Sequence, residues 1–188
     1  MKILILIDCQ NDFISGSLGS KEAQGVIPNI IKKIKDFKGD AVITTHNTHY
    51  DNYLNTREGK NLPIEHCIYG TDGWKLEPSI YKALSEKTKL PKYGVLKETF
   101  GEYLDLPMKI AKICPDNKED LDIELIGFCT DICVISNALI LKSYKWETSN
   151  ITVDASCCSA ECIYEFIYGN LSAIALYIQL HISKLKRF

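Results

Sequence analysis

The 188 residues carry 22 basic and 24 acidic side chains, a formal charge of -2, with 46% hydrophobic and 24% charged residues. That balance excludes the electrostatic footprint of a protein that binds a nucleic-acid backbone or an anionic membrane surface, and the globular composition excludes a disordered chain. The length fits one domain, spanning 1-188, that buries about two thirds or more of the surface its unfolded chain exposes.

The chain opens on Lys2-Ile3-Leu4-Ile5-Leu6-Ile7-Asp8. Its apolar run is too short for a signal-peptide core and ends in an acid, so it reads as a buried strand. Further apolar runs suited to buried strands follow at Ala41 to Thr44, Gly94 to Leu96, Ile123 to Phe128 and Ile151 to Val153. Between them, helical periodicity predicts helices over Val26 to Phe37, Ser79 to Lys87, Met108 to Ile113 and Asp131 to Tyr144. Strands alternating with helices predict a three-layer α/β/α domain around a mostly parallel sheet. The stretch from His46 to Gly73 lacks clear periodicity and holds three of the four histidines; loops that long inside a compact domain are usually functional or mobile.

Near the end, Ile163 to Ile182 is apolar but interrupted by Glu165, Asn170, Gln179 and His181, which argues against a membrane span. Eight cysteines without regular spacing, in a chain lacking a secretion signal, read as free thiols in a reducing cytosol. The expected location is therefore cytoplasmic.

In open parallel sheets, ligands bind beyond the carboxyl ends of the strands. Asp8, Lys97 and Cys133 all follow predicted strands closely, so the topology lets them converge. Cys133 falls in the first turn of a predicted helix, with Thr130 or Asp131 available as N-cap. The helix dipole and a neighbouring Lys97 favour its thiolate, whereas Asp8 disfavours a second negative charge and is suited to accept the thiol proton. Each residue alone has a plainer reading: Cys133 as core, Asp8 as a strand-end cap, Lys97 as a solvated side chain.

Taken together, four ordered blocks resemble the isochorismatase-like cysteine hydrolases, the superfamily that contains nicotinamidases and pyrazinamidases. They are Asp8-Cys9-Gln10-Asn11-Asp12-Phe13 with Gly16-Ser17-Leu18, then His66 to Trp74, then Lys97-Glu98-Thr99-Phe100, then Gly127 to Val134. The resemblance implies a catalytic triad of Asp8, Lys97 and Cys133 acting on a small carboxamide through a thioester, with release of ammonia and acid. It also implies an oxyanion hole from the backbone N–H groups of Cys129 and Cys133, a cis peptide at Phe128-Cys129, and a homo-oligomer. No organic cofactor is implied. Phe13, Leu18, Phe100 and Tyr103 are the residues suited to enclose a small flat amide, although each also suits an ordinary core.

Metal-containing relatives carry Asp-x-His, a further acid and a second histidine. Here the matching residues are Asn47, His49, Glu58 and His66, implying a divalent Zn, Mn or Fe site in which a neutral amide has replaced the first acid. An amide oxygen is a poorer ligand than a carboxylate, so the competing reading is a hydrogen-bonded loop network or direct substrate contact, with His46 an exposed neighbour. Two further departures stand out. Leu62-Pro63-Ile64-Glu65-His66 lacks the aromatic ring wall common in nicotinamidases, and residues 162-188 match no familiar C-terminal pattern. Hydrolysis of a ureido or carbamoyl substrate, and an inactive fold relative acting as a binding protein, are the alternative functions.

Overall fold

The computed structural model describes residues 1–114, 120–144 and 150–159; Cys162 and the atypical segment 162-188 lie outside them. Five strands, β1 (Lys2–Ile7), β2 (Ala41–Asn47), β3 (Lys92–Lys97), β4 (Asp122–Phe128) and β5 (Asn150–Ser159), form one sheet in the order β3-β2-β1-β4-β5. Every pairing is parallel. The helices are α1 (Asn11–Ile14), α2 (Lys21–Gly25), α3 (Ile27–Asp36), α4 (Arg57–Asn61), α5 (Pro78–Glu86), α6 (Asp105–Ile113) and α7 (Ile135–Ser143).

Because side chains alternate along a strand, β1 feeds two cores at once. Leu4 and Leu6 join Val42 and Ile126 beneath Ile30, Ile34, Ile80 and Leu84 from α3 and α5. On the other face, Ile3, Ile5 and Ile7 join Ile43, Ile123 and Leu125 beneath Leu106, Ile110 and Leu141 from α6 and α7. This is the predicted three-layer α/β/α sandwich, and β1 reads as a continuous apolar run because both its faces are covered.

Several elements differ from expectation, among them α1 and α2, which no predicted helix covers. β5 runs to Ser159, well beyond Val153, because it crosses an irregularity where its register against Leu125 and Gly127 shifts; the polar residues there hide it from an apolar pattern. The helix expected from Asp131 begins as a π-helical turn, Thr130–Val134, before α7. The loop from His46 to Gly73 also carries a 3-10 turn, Tyr53–Asn55, and α4.

With β2 and β3 on one side of β1 and β4 and β5 on the other, the sheet's switch point lies between β1 and β4, where open α/β sheets bind ligands. Asp8 and the π turn stand there.

Candidate active site

Each reactive side chain is placed by a strand end. Asp8 follows β1 with a left-handed φ of 47°, a conformation that costs a non-glycine residue on the order of 1–3 kcal/mol. Two bonds to Thr45 of β2 hold it: Thr45 Oγ1 donates to Asp8 Oδ1 at 2.6 Å and accepts from Asp8 N at 3.1 Å. Lys97, the last residue of β3, reaches past β2 so that its Nζ lies 2.6 Å from Asp8 Oδ2, with neither side chain exposed. The same ammonium lies 3.6 Å from Cys133 Sγ and donates to Thr99 O at 3.1 Å. The Asp8 carboxylate also interacts with the Cys133 thiol, which it helps to keep protonated.

Cys133 is reached through β4. Gly127 takes φ 122°, and a Cβ there would lie 2.1 Å from Ile7 O, so only glycine lets β4 press this closely on β1. The Phe128–Cys129 peptide is cis, as expected. Cys129 is the N-cap of the π turn and makes no side-chain capping bond, which corrects the expectation of Thr130 or Asp131 in that role. The backbone N–H groups of Ile132 and Val134 both close on Cys129 O.

The electrostatics weigh the opposing influences that the sequence placed around Cys133. Burial pushes the Cys133 thiol up to about 12; Lys97 opposes this and Asp8 reinforces it. Burial and Asp8 together outweigh the ammonium, and the balance favours the protonated thiol. Burial acting alone would lower Lys97, but Asp8 and Cys133 beside it raise it, so the lysine stays charged.

A cavity of about 30 Å³ adjoins the thiol, walled by Phe13, Leu18, Phe100, Ile132, Glu58 and His66. It meets a wider vestibule of about 660 Å³ at Glu58, Leu62 and Phe100. Three of the four expected wall residues therefore line the inner cavity. Tyr103 does not: it stands 70% exposed in the turn before α6, where its ring faces solvent.

Asn47, His49, Glu58 and His66 come together, and all but His49 line the same cavity as Cys133. Single ligand atoms of His49, Glu58 and His66 lie within 4.8 Å of one another, and both imidazole Nε2 atoms are 3.6 Å from Glu58 Oε1. Burial lowers His49 to about 4, helped by His66 and Lys97, and also lowers His66, so both rings are neutral near pH 7. His66 Nδ1 faces Ile64 O at 2.8 Å, which leaves the Nε2 lone pair toward the cluster. Two neutral imidazoles and a carboxylate fit a divalent transition metal. Asn47 enters differently: its Nδ2 lies 3.0 Å from His49 Nε2 and 3.5 Å from His66 Nε2, and amide N–H groups donate to such lone pairs. The two readings offered by the sequence, a metal set and a hydrogen-bonded network, thus share the same atoms.

Several supporting residues escaped the sequence. Thr45 lies inside an ordinary strand pattern and gave no signal. Tyr53, buried with its hydroxyl donating to Leu62 O at 2.9 Å, packs its ring 4.6 Å from that of His49 and 5.0 Å from that of His66. Asn137 is fully buried in α7, and its position one helical turn beyond Cys133 was the available sign. His46 is half-buried against Trp74, with ring centroids 5.5 Å apart, because Trp74 folds back onto Thr48; it is not the exposed neighbour expected.

Cys9, Cys67, Cys114, Cys133, Cys157 and Cys158 are free and buried. Among the described residues, no helix is long and apolar enough to cross a membrane.

Comparison with known proteins agrees with this architecture. The nicotinamidase PncA of Bacillus subtilis is 25% identical, with 84% of this chain and 86% of that chain covered and a TM-score of 0.68. The N-carbamoylsarcosine amidase of Thermoplasma acidophilum is 21% identical, with coverage of 93% and 92% and a TM-score of 0.64. The pyrazinamidase of Pyrococcus horikoshii, solved in complex with zinc, is 20% identical, with coverage of 96% and 95% and a TM-score of 0.65. No match was found among curated protein sequences. The family model described as the Isochorismatase domain matches residues 2–160, and the chain therefore belongs to the isochorismatase family of hydrolases.

Proposed function

We propose that this hydrolase cleaves a small carboxamide of the nicotinamide or pyrazinamide kind, using Cys133 as nucleophile, Asp8 as general base and acid, and Lys97 as electrostatic partner of both. The observation that carries this reading is the convergence of Lys97 Nζ on Asp8 Oδ2 and Cys133 Sγ, at 2.6 and 3.6 Å, beside a cavity.

Burial favours the protonated thiol, which gives the base its task. Asp8 Oδ2 takes the Sγ proton as sulfur attacks the amide carbon, and Lys97 holds the negative charge that passes between carboxylate and thiolate. The carbonyl oxygen becomes an oxyanion received by the backbone N–H groups of Cys129 and Cys133; each such donor is worth about 3 kcal/mol of barrier. Collapse breaks the C–N bond, Asp8 returns the proton to nitrogen, and ammonia leaves a thioester on Cys133. Water then attacks the thioester, giving up its proton to Asp8, and the acid departs as the thiol is restored.

His49, Glu58 and His66 are the residues that would hold a divalent metal, with Asn47 beside them. Such an ion supplies a Lewis-acid site for a lone pair of the substrate, such as a ring nitrogen. Phe13, Leu18 and Phe100 exclude water and orient the amide toward Sγ. A ureido or carbamoyl substrate is the second reading. It is favoured by the about 30 Å³ of space beside the thiol, which suits a small C–N head group, and by the absence of an aromatic residue just before His66.

Ammonia release from nicotinamide, pyrazinamide and an N-carbamoyl amino acid tests the reading. Release from either pyridine or pyrazine amide supports the first substrate class, and release from the carbamoyl compound alone supports the second. No release from any of the three contradicts the hydrolase role proposed for this site.

A further inference from the structure

Lys97 and Cys133 belong to segments with no covalent reason to keep their spacing: one ends an edge strand, the other sits in a π turn beyond β4. Asn137 joins them. Its Nδ2 donates to Cys133 O at 2.8 Å and to Phe100 O at 3.2 Å, while its Oδ1 accepts from Glu102 N at 2.9 Å. The side chain is fully buried and every bond matches the amide's donor and acceptor ends, so the orientation is unique.

The turn gripped by Asn137 is the one that leaves Lys97. Lys97 Nζ donates to Thr99 O, and Thr99 Oγ1 donates to Gly101 O at 2.9 Å. Gly101 lies so close to α7 that a Cβ would come within 2.5 Å of Ile140 Cδ1. Asparagine is a poor helix former and a costly residue to bury. An apolar side chain would fill this site without that cost, but it would tie nothing together.

We propose that Asn137 is a positioning residue that clamps the Lys97–Glu102 turn to the Cys133 turn, fixing the distance between the ammonium and the thiol and the place of Phe100 in the cavity wall. The assignment rests on the reading of Cys133 as nucleophile. Its two halves are separable, because the bonds to Cys133 O and to the 100–102 turn use different polar atoms or hydrogens.

Asn137→Leu removes both halves, whereas Asn137→Thr keeps a hydroxyl able to bond the carbonyl four residues back, which is that of Cys133. On an amide that the wild type hydrolyses, Asn137→Leu is expected to lower kcat by about 100-fold, the scale of a 1 Å misplacement. Asn137→Thr is expected to bring kcat back to within about fivefold of wild type while KM stays raised, since Phe100 remains untethered. Peptide-resolved alkylation with iodoacetamide reads the same positions without turnover: in Asn137→Leu the Cys133 rate changes at least about tenfold relative to the buried reference Cys67, and Asn137→Thr reverses most of that change. A fall in Tm with kcat, KM and the Cys133-to-Cys67 ratio all unchanged in Asn137→Leu would overturn the proposal. If Asn137→Leu does not fold, an unchanged KM in Asn137→Thr overturns it. If the wild type hydrolyses no amide, the hydrolase reading fails while the alkylation ratio still decides the role of Asn137.

Discussion

Lys97 Nζ lies 2.6 Å from Asp8 Oδ2 with both side chains wholly buried. A buried pair of this kind gains little net stability over an apolar replacement, but removing one partner strands the other. Lys97→Met should therefore cost about 3–5 kcal/mol, and the double variant Asp8→Asn with Lys97→Met should recover most of that stability while remaining inactive. Urea unfolding of the two variants checks this; a loss below about 1 kcal/mol in Lys97→Met would show that the pair is not desolvated as described.

Alkaline pH should destabilise the fold. Burial pushes Cys133 and Cys158 up to about 12 and also raises Cys9 and Cys67, whereas an unfolded thiol ionises near ~8.5. Below that pH both states keep their protons. Above it the unfolded chain loses protons that the folded chain retains, so stability falls by up to about 1.4 kcal/mol per pH unit per thiol. Lys97 acts with the same sign: its raised value stabilises fully below the ordinary lysine range and is lost as pH climbs through it. Urea midpoints at pH 8, 9 and 10 should drop steadily, and Cys158→Ala should drop less; flat midpoints would contradict the burial of these thiols.

Asn47 decides the character of the His49, Glu58 and His66 cluster. A carboxylate at that place adds a negative charge within a few ångströms of any bound cation, so Asn47→Asp should bind zinc at least about tenfold more tightly than wild type, and Glu58→Gln should bind it more weakly. Titration calorimetry on protein stripped of metal measures both. Equal zinc affinities in all three proteins would show that these side chains do not act together as ligands.

The sheet and the meeting of Asp8, Lys97 and Cys133 were legible because they depend on patterns local to the chain. Buried parallel strands read as unbroken apolar runs, and residues at their carboxyl ends converge by topology. Burial itself was not legible. The sequence presents the opposing influences of the helix start, Lys97 and Asp8 on Cys133, but it does not present the desolvation that raises the thiol further. A π turn and an α turn share nearly the same apolar spacing over five residues, so Thr130–Val134 looked like the first turn of α7. Tyr103 shared its chemistry with Phe100 and differed only in the direction the turn gave it. Thr45 and Asn137 act through hydrogen bonds to residues 37 positions away and to the adjoining turns, and such partners come into view only once the strands are assembled.

The central claim is that Cys133 carries the reaction, and ammonia release by wild type and Cys133→Ala, side by side on the best amide of the panel, tests it most directly. The account predicts a loss of about 10⁴-fold or more in Cys133→Ala, the scale seen when a covalent nucleophile is removed. Equal release by the two proteins would contradict it.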